Sequence, residues 1–315
     1  MSFRQRILLL ALLFFSINYS AYSQGCSDAG FCTMGAMRPN QSFPKRFKAK
    51  MVSLEMGQYY GYTKFQTHVF TYFADMNIAV GPKTSIQVKV PYTIVRGELG
   101  SAHDFGDISY SATRNLVRND KYQLNVTLGG KIPTNNSNLT SNFYGHNNLV
   151  MPMYYQTSLG TYDIVLGGSV ITRKWLFAVG YQEALNSNKS TFIRQNWENA
   201  DPAANEYPES YHLKRGNDVM LRVERNFRSS KFNGYVGLLP IYRINKDVVT
   251  DSLGQRVKAP GSNGLALNML FGAGYNLSTR SAIKFLIALA PISRQHNPDG
   301  LSRIFVNSIS YEIRF

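Results

Sequence analysis

The feature that most constrains this chain is an alternation that runs too long for a soluble sheet. From Tyr122 to Ile132, the residues Tyr122, Leu124, Val126, Leu128 and Ile132 fall on one face, and Gln123, Asn125, Thr127 and Lys131 fall on the other. Ser85–Arg96 repeats the pattern, with Ile86, Val88, Val90, Tyr92 and Ile94 opposite Gln87, Lys89 and Thr93. Asp107–Val117 sets Ile108, Tyr110, Ala112 and Leu116 against Asp107, Ser109, Ser111, Thr113 and Asn115. Period two marks strands with one apolar and one polar face. Strands of soluble domains run about five or six residues, whereas a strand that crosses a bilayer needs roughly 9–11. Length, more than alternation, decides for membrane-spanning strands.

Twelve stretches read this way, near 51–62, 67–80, 85–97, 105–117, 121–133, 161–172, 175–186, 213–228, 231–246, 263–277, 282–294 and 302–315. Short turns at 81–84, 118–120, 173–174, 229–230 and 278–281 join every second pair. The junctions between them include 134–160, 187–212 and 247–262, long and rich in Asn, Ser, Pro and Gly. Short turns at one end and long loops at the other are the layout of a transmembrane antiparallel β-barrel of the bacterial outer membrane. About twelve strands are expected, with fourteen the next even count; closure leaves no sheet edge and pairs every backbone group. In the last stretch Phe305, Ile309, Tyr311, Ile313 and terminal Phe315 share a face. That ending resembles the C-terminal signal of outer-membrane barrels, which makes the barrel-assembly machinery an expected partner through Phe315.

The N-terminus fits export. Arg4 and Arg6 precede the apolar run Ile7–Phe15, and Ala21 and Ser23 stand in A-x-S spacing before Gln24. Residues 1–23 therefore read as a cleaved signal peptide. Arg4 and Arg6 leave with it, which takes the formal charge from +15 to +13. The domain plan is a signal at 1–23, a non-alternating segment at 24–50, and an outer-membrane barrel at 51–315. Thirty-nine Tyr plus Phe exclude a solvated coil, and only 17% charged residues is low against the ~25% usual for soluble domains. For an exported barrel the positive charge does not imply nucleic acid. Lipid phosphates and lipopolysaccharide are the expected acidic partners at the rims, alongside the bilayer itself, and the basic run Lys45–Lys50 just before the barrel joins them.

With lipid-facing positions apolar, the register sends charges inward. The lumen receives Glu55, Asp75, Lys89, Asp107, Asp163, Arg222, Glu224, Arg243, Lys284, Glu312 and Arg314. Both signs occur, so the lining reads as a salt-bridged wall and not as an ion-selective ring. No catalytic residue, metal or cofactor is assigned, and no enzyme is expected. An outer-membrane phospholipase would need a His and a Ser nucleophile held together, and no His-x-Ser-Asn-Gly string occurs. The five histidines His68, His103, His146, His212 and His296 all fall at outer strand ends or in outer loops.

Three short motifs carry a family likeness: Phe105-Gly-Asp-Ile-Ser-Tyr110 opening a strand, Gly129-Gly-Lys-Ile-Pro-Thr134 ending the next, and Leu159-Gly-Thr-Tyr-Asp163 beginning the one after. Their order and spacing resemble the outer-membrane transporter family named for the meta-pathway of phenol degradation, related to FadL-type channels for fatty acids and aromatic hydrocarbons. The likeness covers roughly residues 50–190 and, more loosely, the rest. Asn135 departs from the Gly common in that family, and the Asn-Pro-Ala N-terminus of true FadL proteins is missing, so fatty-acid specificity does not carry over. The resemblance implies passive uptake of small hydrophobic, including aromatic, molecules. It also implies a plug or hatch, for which 24–50 is the candidate, together with an outer binding cleft and a gap in the side wall. Cleft candidates are Phe143, Tyr144, Met151, Met153, Tyr154 and Tyr155 in one long loop, with Phe192 and Trp197 in the next; loop-on-loop packing over the mouth is the alternative. In 24–50, Cys26 and Cys32 most simply close a disulfide loop in an oxidising periplasm. With Met34 and Met37 they would also suit copper(I), and free thiols remain open. A general diffusion porin and a surface barrel without transport are the rival functions.

Overall fold

A computed structural model describes Met34 and residues 50–142, 148–197, 200–229 and 231–315. The signal peptide, Cys26, Cys32, Met37, Phe143, Tyr144 and His146 lie outside the described residues. Among the described residues helix is confined to short 3-10 turns, and the rest of the regular structure is strand.

The strands are β1 (Lys50–Thr63), β2 (His68–Ala79), β3 (Thr84–Gly97), β4 (Gly100–Phe105), β5 (Ile108–Arg118), β6 (Tyr122–Ile132), β7 (Asp163–Thr172), β8 (Trp175–Ala184), β9 (Asp218–Arg228) and β10 (Phe232–Arg243). After them come β11 (Val248–Thr250), β12 (Arg256–Lys258), β13 (Gly264–Asn276), β14 (Ser281–Ile292) and β15 (Arg303–Arg314). Consecutive strands pair antiparallel around a ring, and β1 closes it on β15, with Glu55 opposite Glu312 and Gly57 opposite Ser310. The short β11–β12 hairpin stands apart within a long loop.

The ring is a twelve-strand barrel because β4 and β5 serve as one broken strand along β3. β5 pairs with Thr84–Lys89 and β4 with Tyr92–Gly97. The break at Gly106–Asp107 is a one-residue bulge, bridged by Gly106 N–H donating to Pro91 O at 2.9 Å. A Cβ at Gly106 would stand 3.0 Å from the Pro91 ring and 3.1 Å from Thr157 O, so the close approach there favours glycine. β4 pairs with β3 alone. On its other side Thr134 Oγ1 donates to Phe105 O at 2.6 Å and Asn135 Nδ2 to Asp104 at 3.2 Å, side chains replacing a backbone ladder.

This is the transmembrane antiparallel barrel that the alternation implies. Outward positions such as Met56, Leu128, Leu166, Val179, Leu238 and Phe285 are exposed and apolar. Exposed aromatics flank the band: Tyr122, Trp175, Phe227, Phe232, Tyr275 and Phe315 at the short-turn end, and Phe105, Tyr162 and Tyr242 at the long-loop end. Such paired girdles mark the two interfaces of a bilayer. Two elements differ from the expected strand map. Residues 100–104, expected as a loop, extend the wall as β4, and the eighth long strand starts at Asp218 instead of 213 because 213–217 turn inward over the mouth.

Candidate functional site in the barrel lumen

The inward face divides into two walls. From β2 to β7 it is polar and laddered: Thr71 bonds Thr93 at 2.9 Å, Thr113 bonds Thr127 at 2.7 Å, and Asn115 Nδ2 donates to Asn125 Oδ1 at 2.8 Å. From β7 round to β1 apolar side chains share the inner face with polar ones, among them Arg222, Glu224, Asn268, Ser310 and Glu312. Val165, Ile171, Leu176, Met220, Leu239, Ile241, Leu270, Val306 and Tyr59 form one buried cluster, with Phe73, Tyr235 and Leu286 packed on it. Met34, from the segment before the barrel, is buried in the same cluster. The apolar wall runs from Ile171 and Leu176, beside the 173–174 turn, to Tyr59 and Val306 in the loop-side half.

Charges on the inner face are paired. Near the turn end Lys284 Nζ lies 2.8 Å from Glu55 and 2.9 Å from Glu312, so one ammonium bridges two acids that the register sets side by side. Arg314 Nε donates to Glu312 at 2.8 Å, and Arg222 Nε to Glu224 at 2.6 Å. Asp75 accepts from Gln87 at 2.8 Å and faces Lys89 across the ladder, with the Lys89 ammonium 4.5 Å above the Phe73 ring.

At the loop end the three motifs converge. Lys131 Nζ lies 2.9 Å from Asp107, whose carboxylate also accepts from the Ser158 hydroxyl and from Leu159 N–H at 3.2 Å. Thr161 Oγ1 donates to Asp163 at 2.7 Å. Gly160 makes the turn between them at φ +68°, where a Cβ would meet Ser137 Oγ. One knot thus ties the β4–β5 break to the ends of β6 and β7.

Beside it lies a buried network of three guanidiniums and four carboxylates. Arg243 grips Asp218 with two bonds of 2.9 Å, Asp247 with two of 2.9 Å, and Asp299 at 2.8 Å. Arg215 spans Asp163 at 2.8 Å and Asp218 at 3.3 Å, and Arg294 lies 3.6 Å from Asp218 and 3.8 Å from Asp299. All seven side chains are at most 3% exposed. Burial alone would raise the Asp299 carboxyl, but Arg243, Arg294 and Arg215 hold it well below the usual range. The Asp247 carboxyl is raised by burial, against the pull of Arg243. Of this network only Asp163 and Arg243 were legible in the sequence. Arg215, Asp247, Arg294 and Asp299 sit in loops, where no period reveals burial, whereas Asp218 shares the parity of Arg222 and Glu224 on β9, a signal that could have found it.

A cap closes the mouth. Met151, Tyr154, Tyr155, Phe192 and Trp197 are all buried, and they pack with Leu99, Tyr207 and Phe65 into one cluster; Met153 joins Leu159, Leu213, Val249 and Leu301 in a second. The sequence candidates with described positions are therefore the interior of a loop-on-loop cap. Trp197 Nε1 donates to Val150 O at 2.9 Å, and the Tyr155 hydroxyl accepts from Leu99 N–H at 3.1 Å and faces Tyr207 Oη at 3.2 Å. Burial pushes the Tyr154 phenol far above its ordinary value. Under the cap is a cavity of about 50 Å³ between Tyr59, Lys89, Asp107, Lys131, Tyr154 and Arg303. His68 and His103 face outward, each bonded to a tyrosine, Tyr60 at 2.8 Å and Tyr92 at 3.0 Å. Among the described residues no three His, Cys, Asp or Glu are placed to hold a metal.

No family model matches the sequence and no curated protein does, so the motif resemblance is not joined by a family match. Solved structures do match in fold. An outer membrane channel from Pseudomonas putida F1 superposes with a TM-score of 0.60 at 11% identity, over 88% of this chain and 99% of that one. The CymD monoaromatic hydrocarbon channel gives 0.42 at 10% identity over 95% and 99%, and the NanC porin 0.44 at 9% over 84% and 98%. At 11% identity the likeness to the Pseudomonas channel is one of architecture: a closed twelve-strand outer-membrane barrel, in which β1 begins and β15 ends on the side of the short turns.

Proposed function

We propose that the chain is an outer-membrane channel for passive uptake of small hydrophobic molecules, aromatic ones included, with the long loops outside the cell and the short turns in the periplasm. The observation that carries this reading is the buried apolar cluster on one side of the lumen, which reaches from Tyr59 and Val306 in the loop-side half to Ile171 and Leu176 beside the 173–174 turn, with the charges that share this face paired to one another. A pore for sugars or ions has no use for Val165, Leu176, Met220, Leu239 and Leu270 facing inward, since each would cost water contacts along the path. Opposite, the polar ladder holds the wall shape without presenting an unpaired charge to an apolar solute. Met34 seated on the apolar wall supports a plug role for residues 24–50. The broken ladder beside β4 is the place where a side-wall gap would form. The three-motif likeness to the phenol-degradation transporters points to the same cargo class.

The test is a pair of measurements on purified protein: conductance in planar bilayers, and uptake of a fluorescent hydrophobic probe into vesicles. Small conductance with accelerated probe uptake is expected. Free permeation of hydrophilic sugars would overturn the reading in favour of a general porin, and neither activity would leave a structural barrel.

A further inference from the structure

The short-turn rim carries a one-signed collar of charge. Each of the five turns presents at least one exposed cation: Lys83, Lys121, Arg173 with Lys174, Lys231 and Arg280. Against these six stands one acid, Asp120. The loop end is more mixed: exposed Arg96, Lys189, Lys246, Arg256 and Lys258 share it with exposed Glu98 and Glu206 and with partly exposed Asp201, Glu209 and Asp251. The positive excess is therefore steeper at the turn rim, six cations to one acid, than at the loop end.

Depth identifies what the collar meets. The exposed girdle residues Tyr122, Trp175, Phe232 and Tyr275 stand at the last outward strand positions before those turns. Girdle rings sit at the headgroup level of a bilayer, so Lys121, Arg173, Lys174 and Lys231, each one or two residues from such a ring, sit at the phosphates. Trp175 shows the arrangement directly: it follows Arg173 and Lys174 in the chain, and the Arg225 guanidinium stacks 5.0 Å from its ring. The collar also encircles the barrel, with cations in every turn, whereas a soluble acidic partner would select one sector. We propose that this rim binds anionic phospholipid headgroups of the periplasmic leaflet in preference to zwitterionic ones, giving the barrel a selected lipid annulus on that side.

Trp175 is the reporter. The other tryptophan, Trp197, is 1% exposed inside the cap and out of reach of lipid. Purified protein is reconstituted in vesicles that mix ordinary phosphatidylcholine with brominated phosphatidylglycerol or brominated phosphatidylcholine, and quenching gives the relative binding constant of each. At low salt the anionic lipid should be favoured roughly fivefold, the equivalent of about 1 kcal/mol for one cation per headgroup. The preference should collapse toward unity in 1 M salt, where screening acts over about 3 Å. Arg173→Gln with Lys174→Gln should lower it, while Lys246→Gln with Lys258→Gln at the loop end should leave it unchanged. Equal constants for the two lipids at low salt overturn the proposal and leave the collar to a soluble acidic partner. The proposal rests on the transmembrane reading, whose own failure looks different: brominated phosphatidylcholine would then not quench Trp175 at all.

Discussion

Replacing Arg243 by Met separates the cap's anchorage from the stability of the barrel. Its guanidinium is 0% exposed and its donors are taken by Asp218, Asp247 and Asp299. Removing it leaves four buried carboxylates with two guanidiniums. Asp218 and Asp299 keep contacts to Arg215 and Arg294 at 3.3–3.8 Å, whereas Asp247 keeps the Gly216 N–H at 2.7 Å. Breaking one side of a buried ion pair costs about 3–5 kcal/mol, and here Asp247 bears most of it. Asp247→Asn keeps an acceptor for Gly216 and removes the orphaned charge, so the double variant should recover about half the loss, a coupling that additive sites would not show. The assay is urea unfolding in detergent, followed by Trp197 fluorescence for the cap and by heat-dependent gel mobility for the barrel. The Trp197 transition should fall by 3–5 kcal/mol in the single variant while the strand transition moves less. Acid acts in opposite directions on the two proteins. In the wild type Asp299 is held low, so its contribution is present above the unfolded value of about 3.9 and is lost as pH falls below that toward its folded value. In Arg243→Met the Asp247 carboxyl, already raised by burial, loses the guanidinium that opposed the rise, so its share of the deficit is full at neutral pH and shrinks as pH falls through its folded value. A Trp197 shift under ~1 kcal/mol, or strict additivity with Asp247→Asn, would refute the reasoning.

Four further outcomes follow from single contacts. Tyr155→Phe strands the buried Leu99 N–H and should cost about 1–3 kcal/mol, seen as faster proteolysis in the loop-end cap with the barrel intact; unchanged digestion would mean water replaces the hydroxyl. Gly160→Ala imposes a Cβ at φ +68° against Ser137 and should destabilise by about 1–3 kcal/mol; a variant as stable as wild type would show that the knot relaxes. Met34→Asp sets a carboxylate in the apolar lumen cluster, and single-channel recordings should show more open time at neutral pH, whereas unaltered traces would remove Met34 from any blocking role. Mass spectrometry of Cys26 and Cys32 with and without reductant should give a 2 Da difference for a disulfide, and two free thiols in protein taken from the membrane would dispose of it.

What the sequence reveals here follows from periodicity. A strand pointing Glu55 and Gly57 one way and Met56 and Gln58 the other announces its two faces, because the side-chain period is two wherever the backbone is extended. The same parity assigns Asp75, Lys89 and Lys284 to the inside and Tyr72, Val90 and Phe285 to the outside. Parity fails where the ladder slips. Across Gly106–Asp107 the inward positions change from Ala102 and Asp104 to Ser109 and Ser111, so β4 could not be joined to β5 by counting. It fails altogether in the loops. Asp247 and Asp299 are 52 residues apart in polar stretches that read as solvated, and their burial is created by barrel closure, which brings the β10–β13 and β14–β15 connections over one mouth. The aromatic loop residues were visible as composition, yet whether Met151 and Trp197 line a cleft or fill a cap is a question of which loops meet, and that is fixed by non-local geometry. The lumen's division into polar and apolar walls has the same origin. Each strand states only its own inward face; that Leu176, Met220, Leu239 and Leu270 continue one another emerges when β8, β9, β10 and β13 stand side by side. A strand-by-strand reading sees an alternation of polar and apolar inner faces, and only the closed ring turns that alternation into a path.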